Sequence, residues 1–128
     1  MMLTTFDVVG VLKNMFPDIK FFNGCISKHE DCVGVYARGN VPPPTAIGSK
    51  PSYRILPVTL LVHYSENSDV CERVANRLYE GLEDSIETIN DTRVIVTQLI
   101  DSAPANIGRD DNNICEMTIR LNITYERK

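Results

Sequence analysis

The chain has 128 residues, of which 43% are hydrophobic and 23% charged, values typical of one globular domain spanning residues 1–128. Thirteen basic and seventeen acidic residues give a formal charge of -4, which argues against a nucleic-acid-binding protein because phosphate contacts need the opposite balance. No apolar stretch is long enough to span a bilayer, so we expect a soluble protein without a membrane partner.

The first predicted element is a helix that begins near Thr4 or Thr5 and ends before Pro17. Apolar residues recur there at helical spacing, and the proline stops the pattern. Two short strands follow, at residues 19–22 and residues 33–37, separated by a polar segment. We predict that these two strands pair as a hairpin closed by a loop.

Residues 39–53 interrupt the regular pattern with four prolines, three of them consecutive: Pro42, Pro43 and Pro44. Proline cannot donate to a sheet ladder and favours an extended form. A connection of this length is uncommon in a compact domain. We interpret the segment, which also contains Lys50, either as a surface excursion or as an arm that reaches a neighbouring subunit or partner.

A strand at residues 55–64 and a helix after it form the middle of the chain. Alternate residues of the strand are apolar, and Pro57 indicates a position at a sheet edge or near the strand's start. The helix begins around Asp69, carries apolar residues every four positions, and ends near Gly81.

Two further strands, at residues 93–100 and residues 114–125, are predicted from alternating apolar and polar residues. Residues 101–113 connect them. The order of elements predicts an α+β fold, with a mixed or mostly antiparallel sheet of about four to five strands and two helices packed on one face.

The sheet face away from the helices is not uniformly polar in this prediction. Leu61, Ile95 and Leu99 are expected to project there, although a register error of one residue would reverse their direction. Clustered apolar side chains on a surface indicate contact with another copy or a partner. The pattern therefore favours association over catalysis.

No cofactor, metal or catalytic signature stands out. Cys25, His29 and Cys32 lie close in sequence, but zinc would need a fourth ligand and only carboxylates are near, so we favour free thiols beside a polar loop. His63 lies in a strand-like run and is best explained as a structural histidine. We expect a protein that is not an enzyme.

Three features of the C-terminal half carry a family resemblance. They are the strand at residues 57–62 that runs into the helix at residues 70–82, the run Pro-x-x-Ile-Gly-Arg-Asp within residues 104–111, and the closing strand with Asn122 followed by isoleucine. Together they cover about the last 75 residues. In these features the chain resembles the tail terminator (tail completion) proteins of long, non-contractile-tailed phages, often catalogued as minor capsid proteins.

The resemblance implies a hexameric ring that sits on the finished tail tube, stops its polymerisation and offers a surface to the head-side connector. It implies a virion protein assembled in the host cytoplasm, with DNA passing through the ring without specific binding. Gly108 is expected to adopt a backbone conformation that a side chain disfavours. Arg109 can pair with Asp110 or Asp111 of the next subunit, or with one of them in its own chain to order the turn.

Two other functions stay open. One is a head-closure or neck adaptor subunit, which shares ring symmetry and similar size. The other is a small ligand-binding α+β domain or enzyme, which would need a concave site with convergent titratable groups.

Overall fold

A computed structural model of the protein describes residues 2–39, 52–84 and 86–126. Within these residues, one sheet has the strand order β1-β2-β3-β7-β5-β4, and β6 pairs with β7 beyond β5. The elements are α1 (Thr5–Met15), β1 (Phe21–Asn23), β2 (Cys32–Ala37), β3 (Tyr53–His63), α2 (Ser68–Glu83), β4 (Thr88–Ile89), β5 (Thr92–Leu99), β6 (Ala105–Arg109) and β7 (Cys115–Glu126).

The predicted sheet of four to five strands is wrong, because the described residues form seven strands in one curled mixed sheet. The two strands that were missed are β4 and β6. The first has only two residues, and all five residues of the second are exposed. Neither has the apolar alternation that marks a half-buried strand, so both resembled connections.

The predicted hairpin of β1 and β2 is also wrong, because these strands are parallel, with Phe21 opposite Val33. The chain between them crosses the face of the sheet that carries no helix. A Cβ at Gly34 would lie 2.7 Å from the carbonyl oxygen of Cys25 and 2.7 Å from Cγ2 of Ile26. A glycine inside a strand is the sequence sign of such a close approach.

The hydrophobic core lies between the sheet and both helices. Alternate residues of the central strands are buried there, as the sequence predicted for β3 and β7, and they meet the buried faces of α1 and α2. Its central members are Val8, Val9, Leu12, Val33, Val35, Val58, Leu60, Val62, Cys71, Ala75, Leu78, Leu82, Ile119, Leu121 and Ile123. Thr4, one of the two residues expected at the start of α1, caps the helix and forms a capping box with Asp7. Asn67 caps α2, so this helix begins ahead of the predicted Asp69.

The end of α1 packs against the last turns of α2. The buried ring of Phe16 lies against Gly81, where an added Cβ would overlap its Cζ atom. Arg77 covers the ring, with its guanidinium carbon 5.5 Å from the ring centroid, and donates two hydrogen bonds to Asp18. Gly81 therefore serves helix packing, and α2 continues past it to Glu83.

β3 lies between β2 and β7, so it is not an edge strand, but Pro57 lies in its first half, one residue beyond the stretch that pairs with β2. The backbone N–H of Arg38 donates to the Pro57 carbonyl at 2.9 Å, beyond Ala37, the last residue of β2. Because N and C=O of one strand residue point the same way, the Pro57 nitrogen also faces Arg38, so its missing N–H falls one residue past the last pair of β2 and β3, Ala37 with Val58. The Arg38 guanidinium also donates to the Val58 carbonyl and to Asn122 Oδ1.

Candidate functional site at the outer edge of the sheet

Strands β5 and β6 together form one long outer edge of the sheet. Both pair antiparallel with β7, β5 along its second half and β6 along its first half. Between them, the Ile100 N–H donates to the Arg120 carbonyl of β7. On the other side, β4 pairs only with Thr92 and Arg93. Within the described ranges, the rest of this edge has no neighbouring strand.

A β-bulge in β5 changes which side chains face outward. Val94 lies opposite Tyr125 and Val96 lies opposite Thr124, so Ile95 is an extra residue. After the bulge, Leu99 lies opposite the buried Leu121 and packs against the core. The predicted outward direction of Leu99 was therefore wrong, because one inserted residue reverses the alternation.

The outer edge carries most of the large apolar side chains that are exposed in the described part of the chain. Ile95, Val96, Ile100 and Ile107 are between 41% and 55% exposed. Leu61, the other predicted contact residue of the face without helices, is half-buried opposite Gly34. An unpaired strand edge with apolar side chains is a ready surface for another chain.

The turn from β6 to β7 is held by its own residues. Gly108 has a φ of +107°, which confirms the expected special conformation. One guanidinium nitrogen of Arg109 donates to the carbonyls of Glu66 at 2.7 Å and Asn113 at 2.9 Å. These hydrogen bonds go to backbone carbonyls rather than to Asp110 or Asp111, so Arg109 ties the turn to the segment before α2.

Asp110 organises the same turn by accepting backbone hydrogen bonds from Ile114 and Asn112, both at 2.9 Å. These bonds, the one from Ile114 most of all, hold the pKa of Asp110 below its usual value, and the nearby His63 acts in the same direction. Asp111 is exposed beside it.

His63 is fully buried at the end of β3. Its Nδ1 lies 3.0 Å from a carboxylate oxygen of Glu116 and 3.8 Å from one of Asp110. Its Nε2 has no hydrogen-bond partner within the described residues. The side chain therefore joins β3, β7 and the turn, which is the structural role expected from the sequence, with one nitrogen unsatisfied.

The cysteine and histidine residues do not form a metal site in the described part of the chain. Cys25 is exposed, whereas Cys32 is buried and its thiol lies 3.7 Å from the Ser27 carbonyl. No group of three or more histidine, cysteine, aspartate or glutamate side chains in residues 2–39, 52–84 and 86–126 is arranged to hold a metal ion. Neither described helix has the length and apolar content to cross a membrane.

The predicted arm residues Pro42, Pro43, Pro44 and Lys50 lie outside the described residues. The remaining predicted contact residues lie at two places, Ile95 on the outer edge and Arg109 to Asp111 at its turn. Sequence reasoning missed Val96, Ile100 and Ile107 as exposed apolar residues of the outer edge. For Val96, the bulge changes the alternation of side chains, and for Ile107, β6 is too short to show an alternation.

Comparison with known families decides the identity of the chain. A sequence model of the bacteriophage tail terminator proteins matches residues 9–127. The chain belongs to the bacteriophage tail terminator family. The resemblance of the C-terminal half is thereby confirmed, and the match also includes the proline-rich segment and α1 from residue 9 onward. A comparison with curated proteins finds no match. Family membership makes the chain a structural protein of the phage tail.

Proposed function

We propose that the chain assembles into a hexameric ring that caps the finished tail tube, ends its polymerisation and joins the head-side connector. It would assemble in the host cytoplasm and remain in the virion. Family membership supports the location in the tail. The observation that carries the self-association is the unpaired outer edge with its exposed isoleucines. The number six rests on the resemblance alone.

The topology of the sheet supports a head-to-tail contact. β1 lies at one end of the strand order, and the outer edge of β5 and β6 lies at the other. A contact that joins two different surfaces of identical subunits forms a closed ring when the rotation between them closes. Ile107 on β6 would supply apolar contact area, and Asp111 with its neighbours at the turn would set the register.

The other proposed contacts extend from this edge. Ile95 on β5 and the half-buried Leu61 on β3 would add apolar contact surface for the neighbouring subunit or the tube. The segment with Pro42, Pro43, Pro44 and Lys50 would reach the same partners. Leu99 is left out because it packs inward. A formal charge of -4 supports a lumen through which DNA passes without specific binding, because a negative wall does not hold phosphate.

The test combines light scattering with an assay of tube length. We expect the purified protein to form rings, alone or on tube ends, and to stop growth of tail tubes polymerised from purified tube protein. Ile107→Glu should weaken both properties, because it places a charge in the apolar contact. Phe6→Glu, which changes an exposed apolar residue of α1 that is not part of β5 or β6, is the matched control.

Electron microscopy of tubes and connectors separates tail capping from the neck adaptor function. Protein found only on isolated connectors, with tubes that grow unchanged, would contradict the proposal. Equal behaviour of Ile107→Glu and Phe6→Glu would remove the outer edge from the ring contact.

A further inference from the structure

A groove of about 690 Å³ runs between the C-terminal end of α2 and the outer edge of β5. One wall comes from α2 and the segment after it, with Glu83, Asp84 and Glu87. The other wall is β5 itself, with Ile95, Val96 and Thr97. The groove therefore combines acidic side chains, exposed apolar side chains and the edge of a sheet.

The backbone of β5 offers hydrogen-bonding groups without a described strand partner at Thr97, which lines this groove, and at Leu99, two residues beyond its lining. The Ile100 N–H points to β7, because it donates to the Arg120 carbonyl. Successive strand residues direct their backbone N–H and C=O groups to opposite sides of the strand. The backbone groups of Gln98 therefore also point to β7, whereas the backbone groups of Thr97 and Leu99 point away from it. β4 stops at Arg93, so no described strand covers these outward groups.

The charge of the groove is one-sided. Glu83, Asp84 and Glu87 form no ion pair within the described ranges, and the groove's one basic residue, Arg93, already pairs with Glu126 at 3.3 Å. Three carboxylates that share one wall favour a positively charged occupant and repel a negative one.

We propose that this groove binds an extended, positively charged segment of a neighbouring tail protein, which adds to β5 as a further strand. Backbone hydrogen bonds to Thr97 and Leu99 would give the affinity. Apolar side chains of the segment would contact Ile95 and Val96, and its basic side chains would face the carboxylates. The inference rests on the proposed function in one respect, that the protein has tail neighbours. It assigns β5 to such a neighbour and leaves β6 with Ile107 as the contact between subunits.

The groove can be tested with synthetic eight-residue peptides and the full chain. The probe alternates lysine with valine and threonine, one control replaces lysine by glutamate, and another replaces the threonines by proline to remove N–H donors. Amide NMR titration should show saturable shifts centred on Thr97 and Leu99 with the basic peptide. Both controls should bind at least about tenfold more weakly, because they lack the charge match or the donors.

Paired variants of the protein separate the two contributions. Thr97→Pro removes an outward N–H and leaves the bonds to β7, whereas Thr97→Val retains that N–H. Glu83→Lys with Glu87→Lys reverses the charge of the groove, and Glu66→Lys with Glu72→Lys makes the same change around the start of α2. The first member of each pair should weaken binding of the basic peptide about tenfold or more, and the second should leave it unchanged.

Equal binding of the basic and acidic peptides, or shifts that map away from β5, would overturn the inference. So would Thr97→Pro binding like Thr97→Val. If Thr97→Pro fails to fold, the charge-reversed protein still decides the result. None of these outcomes bears on the ring, because oligomer mass and tube capping are measured separately.

Discussion

Replacing Gly81 by alanine has two opposing effects of known size on the stability of the protein. Inside a helix, alanine is favoured over glycine by about 0.5–1 kcal/mol. At Gly81, however, the new methyl group would overlap Cζ of Phe16 and lie 3.2 Å from its Cε1 atom. The ring is buried and covered by Arg77, so it cannot swing freely into solvent.

Overpacking of a well-filled core costs about 1–3 kcal/mol. Subtracting the gain in helix propensity, we expect Gly81→Ala to destabilise the protein by roughly 1 kcal/mol, with an upper bound of about 2.5 kcal/mol. Gly10 provides the matched control, since it is an exposed helical glycine with nothing within 4 Å of its added Cβ. Gly10→Ala should stabilise the protein by about 0.5–1 kcal/mol.

Urea unfolding followed by circular dichroism measures both free energies of unfolding. Combining Gly81→Ala with Phe16→Leu tests the cause, because leucine lacks the ring tip that the methyl group meets. In that background the alanine should destabilise less than it does beside phenylalanine. If Gly81→Ala stabilised the protein as much as Gly10→Ala, the assigned packing of Phe16 on α2 would be refuted.

Three further predictions concern acid, thiols and the turn. Hydrogen bonds from arginine side chains hold the pKa values of Asp18 and Asp101 below the usual 3.8. The unfolded chain therefore binds more protons in acid, so the free energy of unfolding should fall as the pH drops through about 4. Urea titrations between about pH 6 and about pH 3 measure this fall, which should be less steep in the double variant Asp18→Asn with Asp101→Asn. With an aromatic disulfide reagent at about pH 8, the exposed Cys25 should react at once and the buried thiols only after unfolding. Burial withholds these thiols from the reagent and raises the pKa of Cys71 to about 11. Fast reaction of four thiols in the folded protein would contradict the fold. Arg109→Ala should lower the free energy of unfolding by about 1 kcal/mol, because two carbonyls lose a donor, and an unchanged oligomer mass by light scattering would show that its role is local.

The sequence was sufficient where one periodicity ran through a buried element. Both helices and β7 follow from spacing alone, because each has one face in the core. It was insufficient where a structure depends on another part of the chain. The parallel pairing of β1 depends on the path of the chain over Gly34, and the outward position of Val96 depends on the bulge at Ile95.

The run that carried the family resemblance contains β6, the strand that periodicity missed. Core burial does not explain this strand, because all five of its residues are exposed. Instead, Asn106 accepts the Gly108 N–H at 2.9 Å, Gly108 adopts positive φ, and Arg109 fixes the turn to the segment before α2. These local contacts hold the backbone around Ile107 in place and leave its large apolar side chain 55% exposed. A backbone held in place by its own contacts loses little conformational entropy on binding, which supports Ile107 as a residue of the proposed contact between subunits.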